Sequence, residues 1–207
     1  MVGSLLIGVG VSLLRQGNLG LTPYDVLVSG LQPRLGLSFG ETVWLVSAVL
    51  FTIAALLREF PSMWGLAHVF ATGAAIDGVA GLINAPTSLL GRVLFVAVAL
   101  PTIGGGIALV VHSGSTGGSF ELLMRVGEKR GMARTKVRTG LEVAALGTGI
   151  ALGGSIGPAT VAVALLMGPI LLRIGQALED HSAGAIVRQL ESDPARRHPS
   201  AVGAREF

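Results

Sequence analysis

From residue 91 to residue 112 the chain reads GRVLFVAVALPTIGGGIALVVH, and Arg92 is its one formally charged side chain. A helix needs about 20 apolar residues to cross the hydrocarbon core of a bilayer, and a run of this kind supplies them. Comparable apolar segments fall at 2–16, 42–57, 64–84, 136–153 and 157–178. The first is short, yet it lacks the basic leader and small-residue cleavage site of a signal peptide, so it reads as a span. Hydrophobic residues make up 51% of the chain and charged ones 13%, with a mean hydropathy of +0.71. That balance belongs to membrane proteins. The expected fold class is therefore an all-α membrane protein with six transmembrane helices.

Cysteine is absent, which excludes disulfides, thiol chemistry and Cys-based metal sites. The net charge of +3 could point to nucleic acid, but the basic residues sit in short segments between apolar runs, where topology accounts for them. The partner to expect is the lipid bilayer, with no nucleic acid and with homo-oligomerisation left open.

Two helix-like segments, Pro23 to Leu35 and Ser119 to Arg130, are too short to cross alone. Six crossings then gather Arg58, the cluster Arg125 to Arg138, Arg173 and the tail arginines on one side. Arg15, Arg34 and Arg92 are left for the other. Since Lys/Arg excess marks the cytoplasmic face, both termini are expected inside, with the chain in the cell (inner, cytoplasmic) membrane.

A shift of 96 residues lays Gly8-Val9-Gly10-Val11 on Gly104-Gly105-Gly106-Ile107 and Tyr24-Asp25-Val26-Leu27 on Phe120-Glu121-Leu122-Leu123. At a shift of 95, Gly36-Leu37-Ser38 meets Gly131-Met132-Ala133 and Gly73 meets Gly168. The spans thus form two three-helix repeats, 1–84 and 91–178, each with one short non-spanning helix. A unit with an odd number of crossings leaves its second copy inverted relative to the first. A transmembrane domain over 1–178 and a polar cytoplasmic tail over 179–207 complete the expected organisation, with a short helix near Ala185 to Leu190 and disorder beyond. The counterpart of the fourth span would begin before Met1, which leads us to expect a shortened first helix.

The segment Leu19-Gly20-Leu21-Thr22-Pro23-Tyr24-Asp25 puts a carboxylate just inside a helix start. Thr22 suits the N-cap and Pro23 the first helical position, and Asp25 completes an [ST]-x-x-[DE] capping box. Gly118, Ser119 and Glu121 repeat the spacing in the second unit. Helices that begin at membrane depth also present their first amides to a cavity, because irregular backbone survives there only against protein or water. Asp25 and Glu121 are then candidate acidic groups of a pathway, with Thr22, Tyr24, Gly118 and Ser119 around them.

These residues also carry a resemblance. Leu19 to Leu27, with Gly30-Leu31 and Gly36-Leu37-Ser38-Phe39-Gly40, resembles the first-half motif of the YczE/YitT-like bacterial integral membrane proteins. Val137 to Val143, Gly153 to Gly157 and Ala164 to Pro169 are similar to the actinobacterial branch of that family. The resemblance covers residues 3 to 178 and implies a membrane protein of several spans without a settled substrate. Two positions depart from the pattern: Gly118-Ser119-Phe120-Glu121 stands where the family has Gly-Pro-Arg-Asp, and His68 where it has Thr.

Ionisable groups inside spans are costly and therefore functional candidates. Asp77 and Arg92 are expected to meet as an ion pair across the short connection between the third and fourth spans. Glu142 lies four residues after Arg138 and can pair along one helix face, or serve a solute or proton. His68 reads as hydrogen-bonded packing, although an imidazole suits proton coupling. His112 is expected at the interface. Gly149 and Gly153 offer one small-residue contact face. The loop Gly114 to Phe120 lacks the Lys-Ser/Thr ending of a phosphate loop.

No catalytic motif, metal set or cofactor site stands out, so the chain is not expected to be an enzyme. Inverted repeats with interrupted helices recur in secondary transporters, where the solute sits between the repeats. Transport of a small solute by alternating access is the leading expectation. The rival is a non-transporting scaffold or accessory protein, which requires no central cavity.

Overall fold

The computed structural model describes residues 1–113 and 118–192, with side chains described through residue 177. Its elements are helices α1 (Val2–Gly17), α2 (Pro23–Leu35), α3 (Phe39–Leu56), α4 (Met63–Ala80), α5 (Leu89–His112), α6 (Ser119–Lys129), α7 (Arg134–Ala151) and α8 (Pro158–Ser192). Three are long and apolar enough to cross a membrane: α3, α5 and the Pro158–Ala177 part of α8. Helix α1 is apolar but has only 16 residues. Helices α4 and α7 have 18 each, but α4 carries His68 and Asp77, and α7 carries Arg134, Lys136, Arg138 and Glu142.

Helix ends follow local chemistry more closely than apolarity does. Helix α3 starts at Phe39, before the apolar run at 42, because Ser38 and Glu41 form a reciprocal capping box. Helix α2 is capped by the Thr22 hydroxyl, which accepts from the Asp25 amide, and it ends on Gly36 at φ 66°. Gly131 turns the chain after α6 at φ 78°, so both short helices reverse on a residue that tolerates the left-handed region. Helix α8 runs unbroken past residue 178 and takes in Ala185 to Leu190. Residues 193–207 of the expected tail and residues 114–117 of the glycine-rich loop lie outside the described residues.

Contacts set the helix directions. Ser4, Ser12 and Gln16 of α1 reach His68, the Ile76 carbonyl and the Ala80 carbonyl of α4, a constant offset that makes the two helices parallel. Gly3 lies against Val110 and Gly17 against Arg92, so α1 and α5 are antiparallel. Helix α2 ends at the first turn of α3, across Gly36. Helix α6 packs Leu122, Leu123 and Val126 on Phe51 and Ala54 near the other end of α3, where Lys129 pairs with Glu59. The two short helices therefore run toward opposite ends of α3.

Glycine makes these approaches close. A β-carbon at Gly10 would strike Ile103, and one at Gly106 would strike Ile7; the same exchange relates Gly8 with Ala75 to Gly104 with Ile170. The pairings α1·α4 and α5·α8, α2·α3 and α6·α7, and α2·α7 and α3·α6 are likewise exchanged. The pair α3·α4 is the exception, because α7 and α8 are not extensively packed. Outward faces carry exposed Leu45, Val49, Phe70, Val98 and Leu165, as expected where lipid is the solvent.

Of the Gly149 and Gly153 pair, Gly149 makes the close contact: a β-carbon there would lie 2.6 Å from the Leu27 amide nitrogen, while Gly153 turns the chain at φ 75°. Backbone cannot move aside as a side-chain tip can. Gly149→Ala should lower stability by roughly 1–3 kcal/mol, as overpacking does. Gly147→Ala, at a position inside α7 with open space, should leave stability undiminished or raise it by up to about 1 kcal/mol. Thermal unfolding of the detergent-solubilised proteins, followed by size-exclusion chromatography, checks this; equal tolerance of both would contradict the seam.

Candidate functional site

All eight helices line one cavity of about 580 Å³. Its wall is largely apolar, with Ile76, Ile103, Ile107, Val163 and Met167. Polar groups come from Thr22 and Asp25 on one side and from Glu121, Arg138, Thr139 and Glu142 on the other. A smaller cavity of about 200 Å³ adjoins it, shares Glu121, Met124 and Arg138, and continues to His112 and Arg134. The space thus leads toward the end of the bundle that carries the Arg125 to Arg138 cluster.

The starts of the two short helices meet at the middle of α3. The Tyr24 and Phe120 rings touch edge to face, with centroids 5.3 Å apart. The Tyr24 hydroxyl lies 3.0 Å from Ser47 Oγ and also donates to the Val43 carbonyl at 3.2 Å. Ser119 Oγ donates to Ser47 Oγ at 3.4 Å, so one hydroxyl of α3 joins both helix starts.

Asp25 is 4% exposed. Its Oδ2 accepts from the Thr22 hydroxyl at 2.6 Å, and it has no cationic partner among the described residues. The carboxylate turns to the Thr22 hydroxyl, so the sequence-based expectation of a complete capping box is met only in its Thr22 half. The expectation for Glu121 needs a larger correction. Gly118 caps α6 without a side chain, and Glu121 pairs with Arg134 Nη2 at 2.5 Å. Arg134 also holds Glu128 at 3.2 Å. Arg138 and Glu142 form the expected pair along α7 at 2.9 Å.

The expected ion pair between Asp77 and Arg92 does not form. Asp77 accepts from the Ser38 hydroxyl at 2.5 Å and the Gly40 amide at 2.9 Å, which makes it a second cap on α3, whereas Arg92 donates to the Pro86 carbonyl. Orphan amides at a helix start compete strongly for a carboxylate. His68 is bound to Ser4 Oγ at 2.7 Å, beside Gly118 and outside the cavity wall. His112 closes α5 and is exposed. Of the candidates, Thr22, Tyr24, Asp25, Glu121 and Glu142 line the cavity, Ser119 supports it, Gly118 and His68 lie nearby, and Asp77 belongs to the α3·α4 seam. Sequence reasoning missed Ser47, one of three hydroxyl side chains on α3, and the role of Arg134.

At the opposite end the bundle is closed. Ala159 donates to the Leu19 carbonyl at 2.8 Å, and the Leu21 amide donates to Thr160 Oγ1 at 3.1 Å. Arg34 reaches the Gly30 and Leu152 carbonyls, and Gly30 packs on Gly149 and Gly154.

A family of unknown function, DUF6198, matches residues 1–175. The chain belongs to this family. Similar proteins include the uncharacterized membrane protein YczE of Bacillus subtilis, 29% identical over 172 residues, covering 82% of this chain and 80% of that one. The uncharacterized protein YyaS of the same organism is 33% identical over 116 residues, 54% of this chain and 58% of its own. An uncharacterized protein of Haemophilus influenzae is 24% identical over 168 residues, 80% and 77% of the two chains. No solved structure matches. Family membership and the apolar helices identify the chain as a membrane protein of unknown function.

Because Asp77 caps α3, Asp77→Ala should cost roughly 1–2 kcal/mol of stability. Thermal unfolding should register the loss, while labelling of a cysteine placed at Thr139 in the cavity wall should proceed at the parental rate. A change in labelling without a change in stability would return Asp77 to the pathway.

Proposed function

We propose that this family member is a secondary transporter of a small solute, built from two inverted units of three spans and one short helix, working by alternating access. The observation that carries this is the meeting of the α2 and α6 starts at Ser47, on a cavity lined by every helix. Two half-helices whose N-termini face a common space recur in transporters, where the solute binds between the repeats. The antiparallel packing of α1 on α5, the exchanged glycine contacts and the opposed courses of α2 and α6 all support the inverted duplication. In this topology the basic clusters and both termini share the cytoplasmic side, in the cell membrane. A scaffold has no use for the cavity, which favours transport over that rival.

The open and closed sides follow from one asymmetry. In the first unit Gly73 is clamped: its carbonyl lies at Gly40, and the Trp44 indole packs on it and stacks on Phe70 with ring centroids 4.6 Å apart. The repeat places Gly168 at the position of Gly73, and Thr135 and Thr139 at those of Gly40 and Trp44. Gly168 meets nothing, and all three line the cavity. Alternating access would close α8 onto α7 at this point and loosen α3 from α4. The native chain has no cysteine to interfere with a test of this.

With Thr139→Cys and Gly168→Cys introduced together, oxidation during turnover should trap the closed form and stop flux, and a reductant should restore it. Full flux through the cross-linked protein would contradict the motion. For transport itself, liposomes carrying the protein should accumulate at least one solute from a mixed metabolite extract, read by mass spectrometry. Asp25→Asn should reduce that uptake roughly tenfold, the loss expected for one hydrogen bond to a charged group. If no solute is enriched and a stable protein partner copurifies, the scaffold is the better account.

A further inference from the structure

Three carboxylates face the main cavity, and they are not equivalent. Glu121 is held by Arg134 and Glu142 by Arg138. Asp25 accepts one hydrogen bond, from Thr22, and its other acceptor positions have no protein donor among the described residues. A carboxylate offers about four acceptor sites, and an unmatched buried one is costly. The positive end of α2 eases the charge of Asp25, but its cap is already the Thr22 hydroxyl, and a dipole supplies no donor. The wall of the same cavity is mostly hydrocarbon, with Ile7, Val11, Ile76 and Ile103 beside the Thr72 hydroxyl, and Tyr24 and Phe120 as aromatic faces.

We propose that the cavity binds an apolar organic amine, its ammonium group donating to Asp25 while its hydrocarbon body lies along the isoleucine wall. This deepens the transport reading by naming a substrate class. An ammonium brings two or three N–H donors and a positive charge to a site whose other acids are already neutralised. A carboxylate or phosphate head would put a second anion against Asp25 without a donor between them. Arg138 in the wall does not reverse this, since it is engaged by Glu142. An apolar body of drug size is what a largely apolar cavity of about 580 Å³ accommodates.

Three probes with one body separate the cases: 4-phenylbutylammonium, 4-phenylbutanol and 4-phenylbutyrate, titrated onto the full chain in nanodiscs, with empty nanodiscs correcting for partition into lipid. The ammonium should bind at least about tenfold more tightly than the other two, the span of one charge-assisted hydrogen bond. Asp25→Asn should erase that preference and Asp25→Glu should retain part of it. Equal or tighter binding of the alcohol or the acid overturns the proposal, and so does failure of all three to bind. Should Asp25→Asn fold poorly, the head-group preference of the parental protein still decides. Flux is measured separately in liposomes: ammonium binding without uptake keeps the substrate class and removes transport, while uptake of solutes with no ammonium preference does the reverse.

Discussion

A helix that starts inside a packed helical bundle has first-turn amides shielded from bulk water, and this constraint organises the molecule. Its first turn must find acceptors on neighbouring protein or face a cavity. Helix α2 takes the first course through Thr22 and the second through Asp25, which looks into the cavity wall. Its partner α6 begins at Gly118, a cap with no side chain, and is braced through Ser119 and Phe120 instead. Both depend on Ser47, so one hydroxyl of α3 fixes where the two short helices meet.

Close approach is the second requirement, and glycine supplies it. Helices in lipid gain nothing from excluding water from one another, so they associate through packing and backbone proximity. In α1, Gly3 and Gly10 face α5 while Gly8 faces α4, which lets a helix of 16 residues pack closely on both. The α2·α7 seam uses the same device with Gly30, Gly149 and Gly154, and there it closes one end of the bundle.

Much of this was legible in the sequence, because apolar runs and the repeat shift report where helices lie and which positions correspond. The bounds of α2, the start of α6 and the Arg138 and Glu142 pair follow from local patterns, which need no knowledge of neighbours. Asp77 was misread because its partners, Ser38 and Gly40, lie 39 and 37 positions away, and proximity along the chain favoured Arg92. Arg134 was invisible as the partner of Glu121 for the same reason, at a separation of 13. The bridging role of Ser47 depends on two side chains arriving from different helices, Tyr24 of α2 and Ser119 of α6. No single stretch encodes that.

The difference between the α3·α4 and α7·α8 contacts would have a thermodynamic consequence for the proposed motion. The α3·α4 seam holds an indole on glycine and a carboxylate on a helix start, whereas the corresponding α7 and α8 positions offer Thr139 and Leu172. Opening the first seam would break a part-buried cap, and closing the second would gain little beyond van der Waals contact. Under the proposed motion, the balance without ligand would therefore favour the form with α7 and α8 apart. A bound molecule can shift it only by the difference in its affinity for the two forms. The groups able to provide that difference are those spanning the gap: Asp25 and Thr22 on the near side, and Thr135, Thr139 and Glu142 on the far side. On the transport proposal, a ligand that touches only the near side would bind without driving closure, so the reach of the molecule across the cavity, and not its head group alone, would decide whether it is carried.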